Sequence, residues 1–230
     1  MIMKIAIVGR DSYVVRYYKG VLKRSGFIYS HKPDVVISLG GDGTLLLSER
    51  WYPGVPKLPI RDKSICVNCD WNSLHSIIKK IKKRKFRIEK KMKLQATAKG
   101  RRMIALNEFT LRNASQIHAI RFEVEINGKK INGTLIGDGI IVSTSFGSTG
   151  YYHSLTKKKF SKGIGVAFNN LTNPVNPLII KDHSKVKLRM MRGVALVSHD
   201  NDPHMLRLHE GDAVEIKKAK EIARIIKINK

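Results

Sequence analysis

The sequence predicts an α/β fold over residues 1–92 and a mainly β fold over the remainder, and three observations carry this reading. Asp34–Leu39 is apolar almost throughout and runs into Gly40-Gly41-Asp42-Gly43-Thr44 and then Leu45–Leu47, a strand, glycine turn and helix in series. Such continuous apolar strands belong to parallel sheets covered by helices on both faces. After about residue 92 the texture changes to short runs that alternate apolar and polar residues, as half-buried strands do. Asn127-Gly128 between two such runs is a strong hairpin turn.

The elements follow in order. Lys4–Val8 is a short β-branched strand ending at Gly9. Asp11 or Ser12 caps a helix with Val14, Val15, Tyr18, Val21 and Leu22 on its apolar face, stopped near Gly26. Asp34–Leu39 is the second strand, Pro53–Pro59 a loop, and Ser64–Asn68 the third strand. Asn72–Lys83 is a basic amphipathic helix presenting Leu74, Ile77, Ile78 and Ile81, and the dense charge block Lys79–Lys93 is its solvated face and the turn beyond. Ile120–Ile126, Ile131–Ile136, Gly139–Ser143, Val186–Met190, Gly193–Val197, Ala213–Ile216 and Ala223–Ile228 are strands of the β-rich part.

Composition bounds the function. The chain has 230 residues, 42% of them apolar, enough for one large domain or two small ones. Two cysteines do not make a disulfide scaffold. Met1–Val8 lacks the apolar run of a signal peptide, and nothing approaches the ~20 apolar residues of a membrane span. A cytoplasmic protein with no membrane partner is expected. Lys and Arg number 44 against 18 acids, a formal charge of +26, which attracts polyanions. The charge is spread along the chain, so nucleic acid is a weaker alternative to small phosphates as a partner.

Three segments carry chemistry. Glycines at a strand end let backbone N–H groups approach phosphate, so Gly40, Gly41, Gly43 and Thr44 are candidate phosphate and nucleotide ligands. A carboxylate repels phosphate, so Asp42 among them is there either to hold Mg²⁺ or to take a proton from an attacking hydroxyl. This is not a Walker P-loop, which would need Gly-x-x-x-x-Gly-Lys-Ser/Thr. Asn107-Glu108 offers an amide and a carboxylate suited to the edge of an adenine or the hydroxyls of a ribose. Gly137–Thr144 followed by Ser145–Tyr151 is a strand delivering small hydroxyl residues, glycines and an aromatic, able to wrap a sugar and a phosphate.

These segments, in this order, resemble the NAD kinase family. The family shows a Gly-Gly-Asp-Gly-Thr turn, an Asn-Glu pair, and an Asp-Gly strand leading into a Ser/Thr/Gly-rich segment that ends in tyrosine. The resemblance runs from about Asp34 to Ser154, with Asp200 where the family often has an Asp-Gly turn. It implies a Rossmann-like domain over residues 1–92 with a returning C-terminal strand at 218–230, and a β-sandwich-like domain over 93–217. It implies phosphorylation of NAD to NADP at the adenosine ribose 2′-hydroxyl, with ATP or polyphosphate as donor and a divalent metal such as Mg²⁺. Asp42 is then the catalytic base, and Asn107, Glu108, Asp138, Thr149, Gly150, Tyr151 and Ser154 line the dinucleotide site. A homo-oligomer, dimer or tetramer, is the implied assembly.

The chain departs from the family pattern at three places. A glycine-rich segment ending in Leu-Gly-Phe is missing between Asn68 and Trp71. Phe146 and Gly150 replace a small residue and an alanine. Leu155–Lys159 replaces a run of small residues. The missing segment and the +26 charge motivate one alternative, a redirected or inactive nucleotide-binding paralogue; the shared glycine turn and the basic surface leave open another, a related lipid or hydroxyl kinase. Cys66-x-x-Cys69 lacks the second pair a zinc site needs, and His199, His204 and His209 with Asp200 and Asp202 read as a polar turn.

Overall fold

The computed structural model describes residues 3–60 and 72–228, the side chains of 72–75 excepted. The chain divides into two compact units, residues 1–91 with 222–230 and residues 92–221. The predicted strand at 64–68, the Cys66/Cys69 pair and Trp71 lie outside the described residues.

The first unit is a parallel sheet between helices. Strands β1 (Lys4–Gly9), β2 (Ile28–Tyr29), β3 (Val35–Leu39) and β4 (Lys57–Ile60) pair in the order β2-β1-β3-β4. β3 is buried along its whole length, as its unbroken apolar sequence requires. One face carries Ile5, Val35, Ile37 and Leu39 against Val21 and Leu22 of α1 (Ser12–Arg24) and Ile78 and Ile81 of α3 (Asn72–Lys82). The other face carries Ala6, Val8 and Val36 against Leu47 of α2 (Asp42–Trp51). Asp11 is the N-cap of α1 and accepts from the N–H groups of Tyr13 and Val14. The expected loop Pro53–Pro59 gives way at Lys57, because Lys57 and Leu58 pair with Val36 and Ile37.

The second unit is two antiparallel sheets closed over one core. The six-stranded sheet runs β12 (Leu178–Ile180), β11 (Ile164–Asn169), β10 (Gly139–Thr144), β7 (Glu108–Asn113), β14 (Ala195–His199), β15 (Leu206–Leu208). Facing it are β8 (Ile120–Ile126), β9 (Lys129–Gly137) and β13 (Lys185–Arg192), with β5 (Phe86–Ala98), β6 (Arg101–Ala105) and β16 (Ala213–Ile228). Phe109, Phe122, Ile140, Val166 and Leu188 sit in the shared core. The β8–β9 hairpin turns on Asn127 and Gly128, both at positive φ (53° and 83°), as its dipeptide predicts. The fold is therefore an α/β part plus a β-rich part.

Three local readings are corrected. Ala213–Ile216 and Ala223–Ile228 are one strand, β16, whose first half pairs β13 and whose Ile225 pairs Lys57 of β4. The block Lys79–Lys93 is helix only to Lys82; from Phe86 it is strand, and Lys93 is buried. The segment 145–156 is not a plain loop: a 3₁₀ turn (Gly147–Thr149) leads into α4 (Tyr151–Thr156), anchored by Tyr152 edge-on to Phe160 at 4.9 Å.

One ion pair lies inside the first unit. The Lys57 ammonium, fully buried, pairs with Glu49 and donates to the Tyr52 carbonyl oxygen, while Glu49 also accepts from Gly54 N–H at 3.0 Å. Removing one partner of a buried pair costs about 3–5 kcal/mol, because the other charge is stranded. Lys57→Met is expected to lower the urea-unfolding free energy by about that amount, and the double variant Lys57→Met/Glu49→Leu to recover most of it. Equal losses in the single and double variants would show that the pair is not what the site depends on.

Candidate functional site

The first unit builds a phosphate-sized hollow at the carboxyl ends of its strands. β1 ends at Gly9 and β3 at Leu39, and between them opens a cavity of about 270 Å³ lined by Gly9, Arg10, Gly40, Gly41, Gly43 and Thr44, among others. Gly40 has φ +142°, and a Cβ built on it would lie 2.5 Å from Thr44 Oγ1, so only glycine fits there. Gly41 is the N-cap of α2 and offers no side chain to the helix end. The turn is locked from below: Ser38 Oγ donates to Ser48 Oγ at 2.6 Å, and Ser48 Oγ to the Thr44 carbonyl oxygen at 2.8 Å, both buried.

Asp42 is the first residue of α2 and is exposed. Its carboxylate takes no hydrogen bond from any described residue. It stands between two lining glycines without itself lining the cavity. A helix N-terminus attracts both phosphate and carboxylate, so both groups are stabilised at this spot. Arg10 was not legible as a site residue from the motifs. Its signal was its place just after Gly9 in the first strand–helix turn, where such sheets bind ligands.

In the second unit, Asn107 and Glu108 sit at the turn from β6 into β7. β10 runs antiparallel beside them, with Ser143 opposite Glu108. Thr144 N–H donates to the Asn107 carbonyl oxygen at 2.8 Å, and Thr144 Oγ1 to that of Leu106 at 2.7 Å. Gly147 lies so close that a Cβ on it would meet the Asn107 carbonyl oxygen at 2.4 Å. Gly150 lies over the pair: a Cβ there would be 3.5 Å from Glu108 Oε2 and 3.7 Å from Asn107 Nδ2. Thr149 and Tyr151 flank Gly150, and Ser154 follows one turn along α4, its Oγ 3.4 Å from the Gly150 carbonyl oxygen.

Asp138 is placed elsewhere. It precedes β10, whereas Asn107 pairs with Thr144 at the other end, about 20 Å away at the usual rise per strand residue. Its carboxylate accepts from Asn113 Nδ2 at 3.2 Å and Asn170 Nδ2 at 2.9 Å.

Asp200 holds the Asn107–Glu108 turn in place. One carboxylate oxygen accepts from Leu106 N–H (2.8 Å), the other from Asn107 N–H (2.7 Å) and, more weakly, from Glu108 N–H (3.4 Å). Asp200 N–H returns a bond to the Glu108 carbonyl oxygen at 3.2 Å. Burial pushes the Asp200 carboxyl up from its ordinary value, against the three N–H groups that pull it down. Glu108 moves further: burial, and then the Asp200 charge, raise it to about 8. At neutral pH the Glu108 carboxyl therefore holds its proton. Glu108 Oε2 and Asn107 Oδ1 are both buried without a hydrogen-bond partner among the described residues.

The nearby histidines serve the turn one at a time. His199 stacks on Phe109 (centroids 5.5 Å apart), His204 Nδ1 lies 2.9 Å from Asp202, and His209 N–H donates to Asp212. Among the described residues, no three His, Cys, Asp or Glu side chains are grouped to hold a metal ion. No helix among them is long and apolar enough to cross a membrane.

Residues 106–228, more than half of the chain, match the family described as "ATP-NAD kinase C-terminal domain". The chain belongs to the NAD kinase family. It is 31% identical over 213 residues to the NAD kinase of Clostridium perfringens, covering 84% of this chain and 74% of that one. It is 30% identical over 169 residues to the NAD kinase of Sulfurisphaera tokodaii, covering 71% and 65%. In fold it is similar to an NAD kinase from Archaeoglobus fulgidus solved in complex with ATP (TM-score 0.80, 20% identity, 99% of this chain and 94% of that). It is similar also to yeast NADH kinase complexed with NADH (TM-score 0.87, 14% identity, 100% and 84%).

The raised Glu108 carboxyl has a consequence for stability. Between its ordinary 4.5 and about 8, the folded chain holds a proton that the unfolded chain has released. Its contribution is therefore present below pH 4.5 and is lost as pH rises through 8. Glu108→Gln has no such proton, so its stability relative to the parent should increase between pH 5 and pH 8.5 in urea unfolding. Parallel pH curves for the two proteins would contradict the assignment.

Proposed function

We propose that this chain transfers the terminal phosphoryl group of ATP, or of polyphosphate, to the 2′-hydroxyl of the adenosine ribose of NAD. The observation that carries the mechanism is the Asp42 carboxylate, exposed and without a partner among the described residues at a glycine-lined helix N-terminus. The ribose O–H gives its proton to Asp42 as its oxygen attacks the γ-phosphorus. The bond to the bridging oxygen breaks and ADP leaves, so charge and atoms balance. Gly40, Gly41, Gly43 and Thr44 receive the donor's phosphates, and Arg10 adds a positive charge to the same hollow.

A divalent ion fits this arrangement only as a companion of the phosphates. Mg²⁺ is commonly held by one or two carboxylates plus substrate phosphates, and Asp42 is the carboxylate within the turn. When bound, the ion neutralises charge developing on the phosphates.

Asn107 and Glu108 hold the NAD. Asn107 Oδ1 is an acceptor, and Glu108 Oε2 becomes one when its carboxyl releases its proton, which calls for a ligand rich in donors, such as ribose hydroxyls. Leaving each unsatisfied costs about 1–3 kcal/mol, which a bound ligand recovers. Thr149, Gly150, Tyr151 and Ser154 complete this surface, and Asp138 is assigned a separate contact with the dinucleotide. The family assignment and the intact Asp42 favour this reading over a silent paralogue or a lipid kinase.

Two outcomes are expected. Asp42→Asn should lower kcat for NADP⁺ formation by about 10²–10⁴-fold, the usual contribution of a general base, with NAD affinity little changed. Donors to Glu108 favour its ionised form, so NAD binding should release a proton below pH 8. Affinity measured calorimetrically should then rise by up to about tenfold per pH unit and level off above pH 8, and Glu108→Gln should flatten the profile. An affinity independent of pH in the parent protein would rule out Glu108 as the acceptor.

A further inference from the structure

The first unit has a second, larger hollow at the opposite end of its sheet. It lies at the amino ends of β1, β3 and β4, away from the glycine turn, and encloses about 750 Å³. That volume falls within the roughly 300–1,000 Å³ of small-molecule sites. Phe27 and Phe86, packed in the same core cluster, give it apolar walls, and Lys82 and Arg84 give it positive charge. The Lys82 ammonium stands 5.9 Å from the centre of the Phe27 ring. Neither Lys82 nor Arg84 is in an ion pair among the described residues. The one acid in the wall among the described residues, Asp34, already accepts from Lys4 N–H at 2.8 Å.

The turns that border the hollow make Arg84 conspicuous. α1 and α3 end in the same hydrogen-bond pattern. After α1, Gly26 N–H bonds the Lys23 carbonyl and Phe27 N–H that of Leu22; after α3, Arg84 N–H bonds that of Ile81 and Lys85 N–H that of Lys80. Both turns put one residue in the left-handed region: Gly26 at φ +80° and Arg84 at φ +52°. That position favours glycine because a Cβ is crowded there. The first turn uses glycine; the second keeps an arginine, and Arg84 is among the residues that line the hollow.

We propose that this hollow binds an aromatic organic anion of mononucleotide size. Its ring lies against Phe27 and Phe86, and its phosphate or carboxylate is taken by Arg84 and Lys82, the guanidinium offering the two-pronged geometry such groups prefer. The site is distinct from the glycine turn and from Asn107–Glu108, and its occupancy is read by binding rather than by turnover.

The test uses the full chain and the fluorescent aromatic sulfonate 8-anilinonaphthalene-1-sulfonate as probe. Arg84→Gly removes the guanidinium and relieves the backbone, so it should weaken the probe by at least about tenfold, the worth of a charge-assisted pair, while Tm stays equal or rises. Lys82→Gln should weaken it to a smaller degree. AMP should displace the Arg84-dependent fraction, and decanoate, an anion without a ring, should not. NADP⁺ formation by Arg84→Gly without added probe should match the parent. Unchanged probe binding in Arg84→Gly would overturn the site, and displacement by decanoate but not AMP would overturn the aromatic class.

Discussion

The β-rich unit of this protein depends on one buried carboxylate acting as a backbone clamp. Asp200 satisfies the N–H groups of residues 106–108, donors that a tight turn between β6 and β7 cannot pair within a ladder. With the backbone fixed there, the Asn107 and Glu108 side chains are set beneath Gly150 and beside β10. The Asp200 charge also keeps Glu108 from ionising, because two carboxylates in one desolvated site cannot both be charged cheaply. The clamp thus fixes the position of Glu108, while burial first and the Asp200 charge second hold its proton. The two orphan oxygens are the cost of that arrangement in the free protein, and they aim its polarity at a ligand before one arrives.

The same logic appears in the first unit, built from glycine rather than carboxylate. The sheet is covered on both faces, so its strand ends are the places where backbone N–H groups reach the surface. Gly40 permits a turn that any Cβ would block, and the Ser38–Ser48–Thr44 chain of hydrogen bonds stops the helix from shifting away from it. Buried polar groups serve here to fix a loop, as Asp200 does in the other unit.

Most of the first unit was legible because its signals are local. A wholly apolar strand, a capping Asp11 and a glycine turn each act over a few residues. β5 was obscured by its own charge: Lys90 falls on the face that Met92, Leu94, Ala96 and Ala98 continue, and Lys91 and Lys93 extend the basic run of the helix before it. β16 was read as two strands because Lys217–Glu221 is polar, yet that stretch contains no Gly, Pro, Asn or Asp to make a turn, and this was the available clue. The role of Asp200 could not be read locally at all, since its partners lie more than ninety residues earlier. Only the pairing of β7 with β14 brings them together.

Two of the acidic residues picked out by the sequence motifs, Asp42 and Glu108, end in opposite surroundings, which suit them to different work in the proposed mechanism. Asp42 is exposed at a helix N-terminus, with no hydrogen bond from any described residue, so its lone pairs are open to an incoming hydroxyl. Glu108 is buried beside another carboxylate and is neutral at pH 7, which disqualifies it as a strong base but suits it to recognition. Exchanging the roles would fail on both sides. A buried, protonated acid at the glycine turn would be too weak a base to take the hydroxyl proton, and an exposed one beneath Gly150 would already be bonded to water and would gain little from a ligand. In the proposed mechanism the carboxyl group thus serves proton transfer in one unit and substrate recognition in the other, and what separates the two roles is desolvation.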